Sequence, residues 1–161
     1  MLDLFIDIDN CPVYRQVLLV AQRHALALYA VTRDYVELEG DVHLILAQAG
    51  DAGGQEWIVG NIRRSDICVT DDATLAADCL RRGAFALTAT GWAWTAELAA
   101  AEESRAGAVD AAIPRHRLRQ GAIDVRQFVH RIEQTIAEAR SAKPQQPLRP
   151  SLYDKMTAMS P

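Results

Sequence analysis

The sequence predicts an α/β domain with a mainly parallel central sheet. Three observations carry that prediction. Short apolar runs of strand length alternate along the chain with stretches of helical period, the order that yields a parallel sheet with crossover helices. Several of these runs close on acids just before a helical stretch, as at Asp7 and Asp9 and again at Asp71 and Asp72. The 161 residues, half of them hydrophobic and 24% charged, suffice for one domain with a real core.

Residues 4–9 (LFIDID) read as the first strand. Pro12 suits the first turn of the helix that follows, where its missing N–H is no loss. Val13, Val17, Val20, Ala21 and Leu28 mark one apolar face of that helix. Residues 28–32 read as the second strand, 33–41 as a polar loop and 42–47 as the third strand. Gly50, Gly53 and Gly54 break the pattern, and residues 55–63 form a short helix. Residues 66–70 (DICVT) read as the fourth strand and 73–82 as a helix stopped by Gly83. Residues 85–88 make a fifth, short strand, and the Ala- and Glu-rich segment 96–106 a helix. Residues 124–142 make the last helix, with Asp124 as its cap and Val125, Phe128, Val129, Ile132 and Ile136 as its apolar stripe. The domain is expected to span residues 1–142. The tail 143–161, with Pro144, Pro147 and Pro150, is expected to be an extended arm. Its contact with a second copy is the expected route to a homo-oligomer.

Composition narrows the class. No apolar run approaches the ~20 residues of a membrane span, and the chain opens on a strand pattern, not a basic leader with a long apolar stretch. Cys11, Cys68 and Cys79 are odd in number and lack CxxC spacing, which argues against a zinc knuckle and for a reducing cytoplasm. The net charge of −4 conceals an asymmetry. Residues 1–112 hold 17 acids against 8 Arg and Lys, whereas residues 113–161 hold 4 against 9. Arg115, His116, Arg117 and Arg119 form the densest basic cluster. It reads either as a solvated face or as a contact for phosphate, with Arg115, Arg117 and Arg119 the candidate nucleic-acid ligands.

Chemistry concentrates in the acids. In open parallel sheets, ligands bind at the carboxyl edge of the strands. Asp7, Asp9, Asp51 and Asp72 all lie at or just past predicted strand ends. Carboxylates in an apolar strand are costly unless a cation offsets them. Magnesium and manganese take oxygen ligands, commonly one or two carboxylates with waters and substrate phosphate. Asp9 with Asn10, and likewise Asp72, also read as helix caps.

These residues resemble a family. FIDIDNCPV, GDAGGQEWIV, DICVTDDATLAA and the following RRGA, within residues 4–13, 49–59 and 66–84, are similar to the YaiI/YqxD family, a bacterial domain of unknown function with a PIN-like fold. The family pattern runs roughly DADACPV, then GxDxADxxIV, then DLVITADIPLAAE with a following GA. The resemblance implies a three-layer α/β/α sandwich with an acidic metal-binding cluster, to which the helix read at 124–142 adds a helical C-terminal extension. Many PIN-like domains cut RNA. The resemblance further implies Asp7, Asp9, Asp51 and Asp72 as the matching acids; Asp7, Asp9 and Asp72 are expected to be catalytic and to bind Mg²⁺ or Mn²⁺, with Asp51 and Glu56 assisting.

Two departures stand out. Aligning on Trp57 and Ile58 places Gln55 where the family has another Asp. The family's NPRG-type segment is replaced by TATGWAWT at residues 88–95. Both departures favour a non-catalytic binding or regulatory domain over a nuclease, while Asp7, Asp9 and Asp72 favour the enzyme. The strand-borne DxD also resembles haloacid dehalogenase-type phosphatases. Those need Thr or Val two residues after the second Asp, where Cys11 stands, and a later Lys, whereas Lys143 and Lys155 are confined to the tail.

The remaining residues read as structural. Cys11 reads as a small packed side chain, Trp92 and Trp94 as loop or core packing, and His24 and His43 as parts of a helix and a strand. The expected function is a Mg²⁺- or Mn²⁺-dependent nuclease acting on RNA.

Overall fold

In the computed structural model the described residues are 2–33, 35–38, 40, 42–47, 54–108 and 124–141. Strands and helices follow one another in the expected order, with no helix among the described residues between the second and third strands. These are β1 (Asp3–Asp7), α1 (Tyr14–Arg23), β2 (Ala27–Thr32), β3 (Val42–Leu46), α2 (Gln55–Asn61), β4 (Ile67–Val69), α3 (Ala73–Arg81), β5 (Phe85–Leu87), α4 (Ala96–Ala108) and α5 (Val125–Ser141).

The strands form one sheet in the order β3-β2-β1-β4-β5, with every pairing parallel. Alternation along β1 divides its side chains between two cores. Leu4 and Ile6 join Leu28, Ala30, Ile67 and Val69 under Val17 and Val20 of α1 and Phe128, Ile132 and Ile136 of α5. Phe5 joins Val31 and Cys68 under Ile58 of α2 and Leu75 and Cys79 of α3. On that second face Phe5 stacks on Tyr29, 5.1 Å between centroids, with Trp57 tilted against both. Helices therefore cover both faces, and the fold is a PIN-like three-layer α/β/α sandwich. The helix α4 packs outside, where Ala76, Ala77, Ala86, Trp94 and Ala99 form a third, smaller cluster.

Element ends shift by one or two residues from expectation, and three placements differ for a local reason. The first strand ends at Asp7, because Ile8–Asn10 winds into a 3₁₀ turn before Cys11. Leu28 belongs to β2 and not to the face of α1, which stops at Arg23. Val125 is 41% exposed, because the buried stripe of α5 recurs at i, i+4 and i+8 through Phe128, Ile132 and Ile136. The expected cap of α5 is present: Asp124 Oδ1 accepts from the backbone N–H groups of Arg126 and Gln127. Gly83 stops α3 at φ +80°, the left-handed conformation that glycine adopts without steric cost.

The C-terminal extension is docked by charge as well as by its stripe. Glu133 of α5 accepts from Arg23 and pairs with His24, and Arg140 donates to the His24 carbonyl at 3.1 Å. The residues 143–161 lie outside the described residues.

Candidate active site

The strand order creates a crevice. From β1 the chain runs outward to β2 and β3, then crosses to β4 and β5 on the other side. The two wings diverge beyond the carboxyl ends of β1 and β4, the topological switch point at which open α/β sheets bind ligands. Asp7 is the last residue of β1 and is 2% exposed. It pairs with Val31 on β2. The β4 register, Ile6 with Val69, sets Thr70 beside Asp7 on the other side. Asp71 and Asp72 follow directly.

Two helix starts are built into the same edge. Gly54 precedes α2 at φ +75°, and a Cβ there would stand 2.1 Å from Val31 Cγ1. Only glycine lets the start of α2 settle on the strand residue that pairs with Asp7. Asp72 caps α3: its Oδ1 accepts from the Leu75 N–H at 3.0 Å. Its Oδ2 accepts from Gln55 Nε2 at 2.9 Å. Thr70 Oγ1 in turn accepts from the Asp72 N–H at 3.0 Å. The first turns of α2 and α3 are thus joined through an amide and a carboxylate.

The neighbouring thiols register the local negative charge. Burial pushes the Cys11 thiol up to about 12, opposed by the Val13 N–H and reinforced by Asp71 and Asp7. Cys68 is held well above the usual thiol range by its hydrogen bond with Cys79, by burial, and by nearby charge including that of Asp7. Both are packed side chains, as expected for Cys11, and neither is a thiolate nucleophile.

The other candidates fall elsewhere. Asp9 stands in the 3₁₀ turn and leans toward β2: its Oδ1 accepts from Thr32 Oγ1 at 2.9 Å and its Oδ2 from the Arg33 N–H at 3.0 Å. It braces the end of β2 on the far side of β1 from Asp72. Glu56 is exposed on α2. Asp51, Arg115, Arg117 and Arg119 lie outside the described residues. Among the described residues, no group of three or more His, Cys, Asp or Glu side chains is arranged to hold a metal ion. Asp7, at the end of β1, and Asp71 and Asp72, which follow β4, stand at the switch point, and Mg²⁺ commonly takes one or two carboxylates. Asp72 accepts two hydrogen bonds, and a carboxylate offers about four acceptor sites, so its bonds to Leu75 and Gln55 leave capacity for a cation.

The segment TATGWAWT closes the β5 side. The Ala89 N–H donates to Asp71 Oδ1 at 2.9 Å, and Trp94 Nε1 donates to the Thr70 carbonyl at 2.9 Å. Trp94 is packed as expected, at 3% exposed, whereas Trp92 is 59% exposed. His43 stacks on Tyr29 at 4.9 Å, and His24 pairs with Glu133. Both histidines are structural.

One acidic pair escaped the sequence reading. Asp3 and Asp66 are buried at the opposite, amino edge of the sheet. Asp66 accepts from the backbone N–H groups of Asp3 at 3.0 Å and Arg63 at 2.8 Å. Burial raises its carboxyl above the usual range, against the pull of those two donors. The available signal was positional, since each acid stands at the start of an apolar strand run.

A sequence profile described as "Uncharacterized BCR, YaiI/YqxD family" matches residues 5–106. The chain is 34% identical over 94 residues to a UPF0178 protein of Azorhizobium caulinodans, covering 57% of this chain and 59% of that protein. It is 36% identical over 97 residues to one of Rhodospirillum rubrum, covering 58% and 65%. It is 38% identical over 109 residues to one of Rhodospirillum centenum, covering 66% and 71%. The match thus spans less than two thirds of the first two relatives. No solved structure matches the chain. The profile covers most of the chain, including β1, α2, β4 and α3, which build the switch-point site, and the chain belongs to the YaiI/YqxD family.

Proposed function

We propose that this protein is a divalent-metal-dependent hydrolase of phosphodiester bonds, acting on RNA, with its site at the switch point. The observation that carries the proposal is Asp7, a 2% exposed carboxylate at the end of the central strand, in the crevice between the two wings of the sheet. Asp7 and Asp72 are the residues that would hold Mg²⁺ or Mn²⁺, with Asp9, whose oxygens each accept one hydrogen bond, proposed as a further ligand. The ion, when bound, activates water and stabilises developing negative charge on phosphate oxygens. Burial fixes the Asp7 carboxylate against the sheet. The cap bond to Leu75 and the amide of Gln55 fix the plane of the Asp72 carboxylate. Asp51 and Glu56 are proposed as assisting acids, and Arg115, Arg117 and Arg119 as contacts for the RNA backbone. The three buried free thiols fit a cytoplasmic setting. No helix of the described residues is long and apolar enough to cross a membrane. Self-association through the tail 143–161 belongs to the same proposal.

RNA cleavage with Mn²⁺, compared between the wild type and Asp7→Asn, tests it. Cleavage that depends on Mn²⁺ and disappears in Asp7→Asn supports the proposal. No metal binding and no cleavage by the wild type overturns it. A second reading, a non-catalytic RNA-binding domain, is favoured by one observation. The Gln55 amide supplies an N–H to Asp72 where a second acid would call for a cation.

A further inference from the structure

The loop after β5 presents an aromatic ring in a manner that packing does not explain. Trp92 is 59% exposed, while Trp94, two residues on, is 3% exposed. An exposed ring on a mobile loop would mean little, but this loop is held at several points. The Thr88 N–H donates to the Trp92 carbonyl at 2.8 Å, and the Trp92 N–H donates to Thr88 Oγ1 at 3.0 Å. The Gly91 N–H donates to the Thr88 carbonyl at 3.1 Å, and the Thr88 and Thr90 hydroxyls are 2.9 Å apart. Arg131 Nε of α5 donates to the Gly91 carbonyl at 3.2 Å. A Cβ on Gly91 would stand 3.0 Å from Phe128 Cα, so the loop rests directly on the first turn of α5. The backbone that presents the ring is therefore held in advance, with little main-chain freedom left to lose on binding.

Its position ties it to the crevice. The same loop donates the Ala89 N–H to Asp71 Oδ1, the residue beside Asp72. The loop that carries Trp92 thus borders the switch-point site. From α5, Arg131 already reaches the same loop. An aromatic face beside guanidinium groups is the pairing by which single-stranded nucleic acid is held, with bases stacked and phosphates neutralised. An apolar protein partner calls for a different setting, a contiguous apolar patch around the aromatic anchor. Within the loop 88–95, Trp92 is the one large apolar side chain that is exposed.

We propose that Trp92 is a stacking platform for an unpaired base of single-stranded RNA, with the Arg131 guanidinium facing the adjoining phosphate. The inference rests on the reading of the crevice as a nucleic-acid site, and it names the strandedness that reading leaves open. A base paired in a duplex cannot leave its own stack without cost, so the platform selects single strands.

The test uses the full chain and a short labelled oligouridylate, without metal and then with Mn²⁺. Of the three tryptophans, Trp94 is buried and Trp57 half-buried, so Trp92 is the one placed to be quenched by a stacked base. Expected are quenching on binding, an affinity lowered on the order of tenfold in Trp92→Ala, most of it retained in Trp92→Phe, and weaker binding of the duplex. The ring is exposed and the loop is held by backbone groups, so Trp92→Ala is expected to fold. Circular dichroism checks that it does. Equal affinity in the wild type and a folded Trp92→Ala overturns the platform, as does equal affinity for duplex and single strand. Self-association lost in Trp92→Ala with RNA binding intact overturns it too, and makes the face a protein contact. Asp7→Asn separates this inference from the hydrolase reading. Binding through Trp92 without any Mn²⁺-dependent cleavage by the wild type sinks the hydrolase alone. Cleavage lost in Asp7→Asn but binding unchanged in Trp92→Ala sinks the platform alone.

Discussion

Gln55 Nε2 donates to Asp72 Oδ2 at 2.9 Å and so joins the first turn of α2 to the cap of α3. The bond balances the carboxylate with a neutral amide. An acid at position 55 would face Asp72 with like charge, and the pair would need a cation between them.

Replacing the amide therefore tunes metal binding. Gln55→Asp and Gln55→Glu are expected to lower the melting temperature of the metal-free protein. They are expected to raise Mn²⁺ affinity on the order of tenfold, as ligand charge count does at hard-cation sites. Calorimetric titration with melting curves in chelator and in Mn²⁺ reads both. Unchanged Mn²⁺ affinity in both variants removes Gln55 from any role at the metal.

The cap and metal roles of Asp72 separate by substitution. Asp72→Ala loses the bonds to Leu75 and Gln55 and is expected to cost about 1–2 kcal/mol. Asp72→Asn keeps a cap oxygen and is expected to lie within about 1 kcal/mol of the wild type, yet to weaken Mn²⁺ binding. Urea unfolding beside the metal titration distinguishes the two. Equal Mn²⁺ affinity in Asp72→Asn leaves the residue as a cap alone.

Gly54 sets how close α2 approaches the sheet. Gly54→Ala combines a left-handed backbone with a Cβ driven into Val31, and is expected to destabilise by about 2–4 kcal/mol. A cost below about 0.5 kcal/mol, the range of an ordinary surface change, would show that α2 does not seat on Val31 as described.

At the amino edge, burial raises the Asp66 carboxyl above its ordinary value of 3.8. The folded state thus holds the proton more tightly than the unfolded chain. The contribution of Asp66 is full below 3.8 and is lost as pH rises through the raised value. Asp66→Asn removes that slope. It also turns an amide toward one of the two N–H donors, at a cost of about 1–3 kcal/mol. Urea unfolding across the acid range compares the slopes, and identical slopes in the wild type and Asp66→Asn contradict this account of Asp66.

The thiols carry the same sign at the other end of the scale. Cys11 is raised from 9.0 to about 12, so the unfolded chain ionises first and stability falls as pH rises above 9.0. In the folded protein at neutral pH, alkylation of Cys11, Cys68 and Cys79 is expected only after unfolding. Labelling of any of them at the rate of a free peptide thiol would contradict their burial.

Much of this fold was legible because its strands are short apolar runs and its helices carry i, i+4 stripes. Val17, Ile132 and Ile136 fall where periodicity places them. What periodicity does not encode is which strand neighbours which, so the meeting of β1 with β4 at the switch point came only from the structure. Asp9 illustrates a second limit. A strand continued through Ile8 would have aligned it with Asp7, but the 3₁₀ turn swings it to Thr32 and Arg33. The Gln55 bond to Asp72 joins residues 17 apart. The sequence showed Gln55 only as a missing acid, not as a donor to the acid that remains. Trp92 and Trp94 share one motif and opposite fates, decided by whether the ring meets Thr70 or solvent.

The central claim is that Asp7 makes the switch point a metal site. Asp7→Asn keeps the size of the side chain and removes its charge. Calorimetric titration of Mn²⁺ into the wild type and Asp7→Asn, both checked as folded, reads the claim directly. The account predicts saturable binding by the wild type and an affinity lower by about tenfold or more in the variant. Equal Mn²⁺ binding by the two proteins would contradict it.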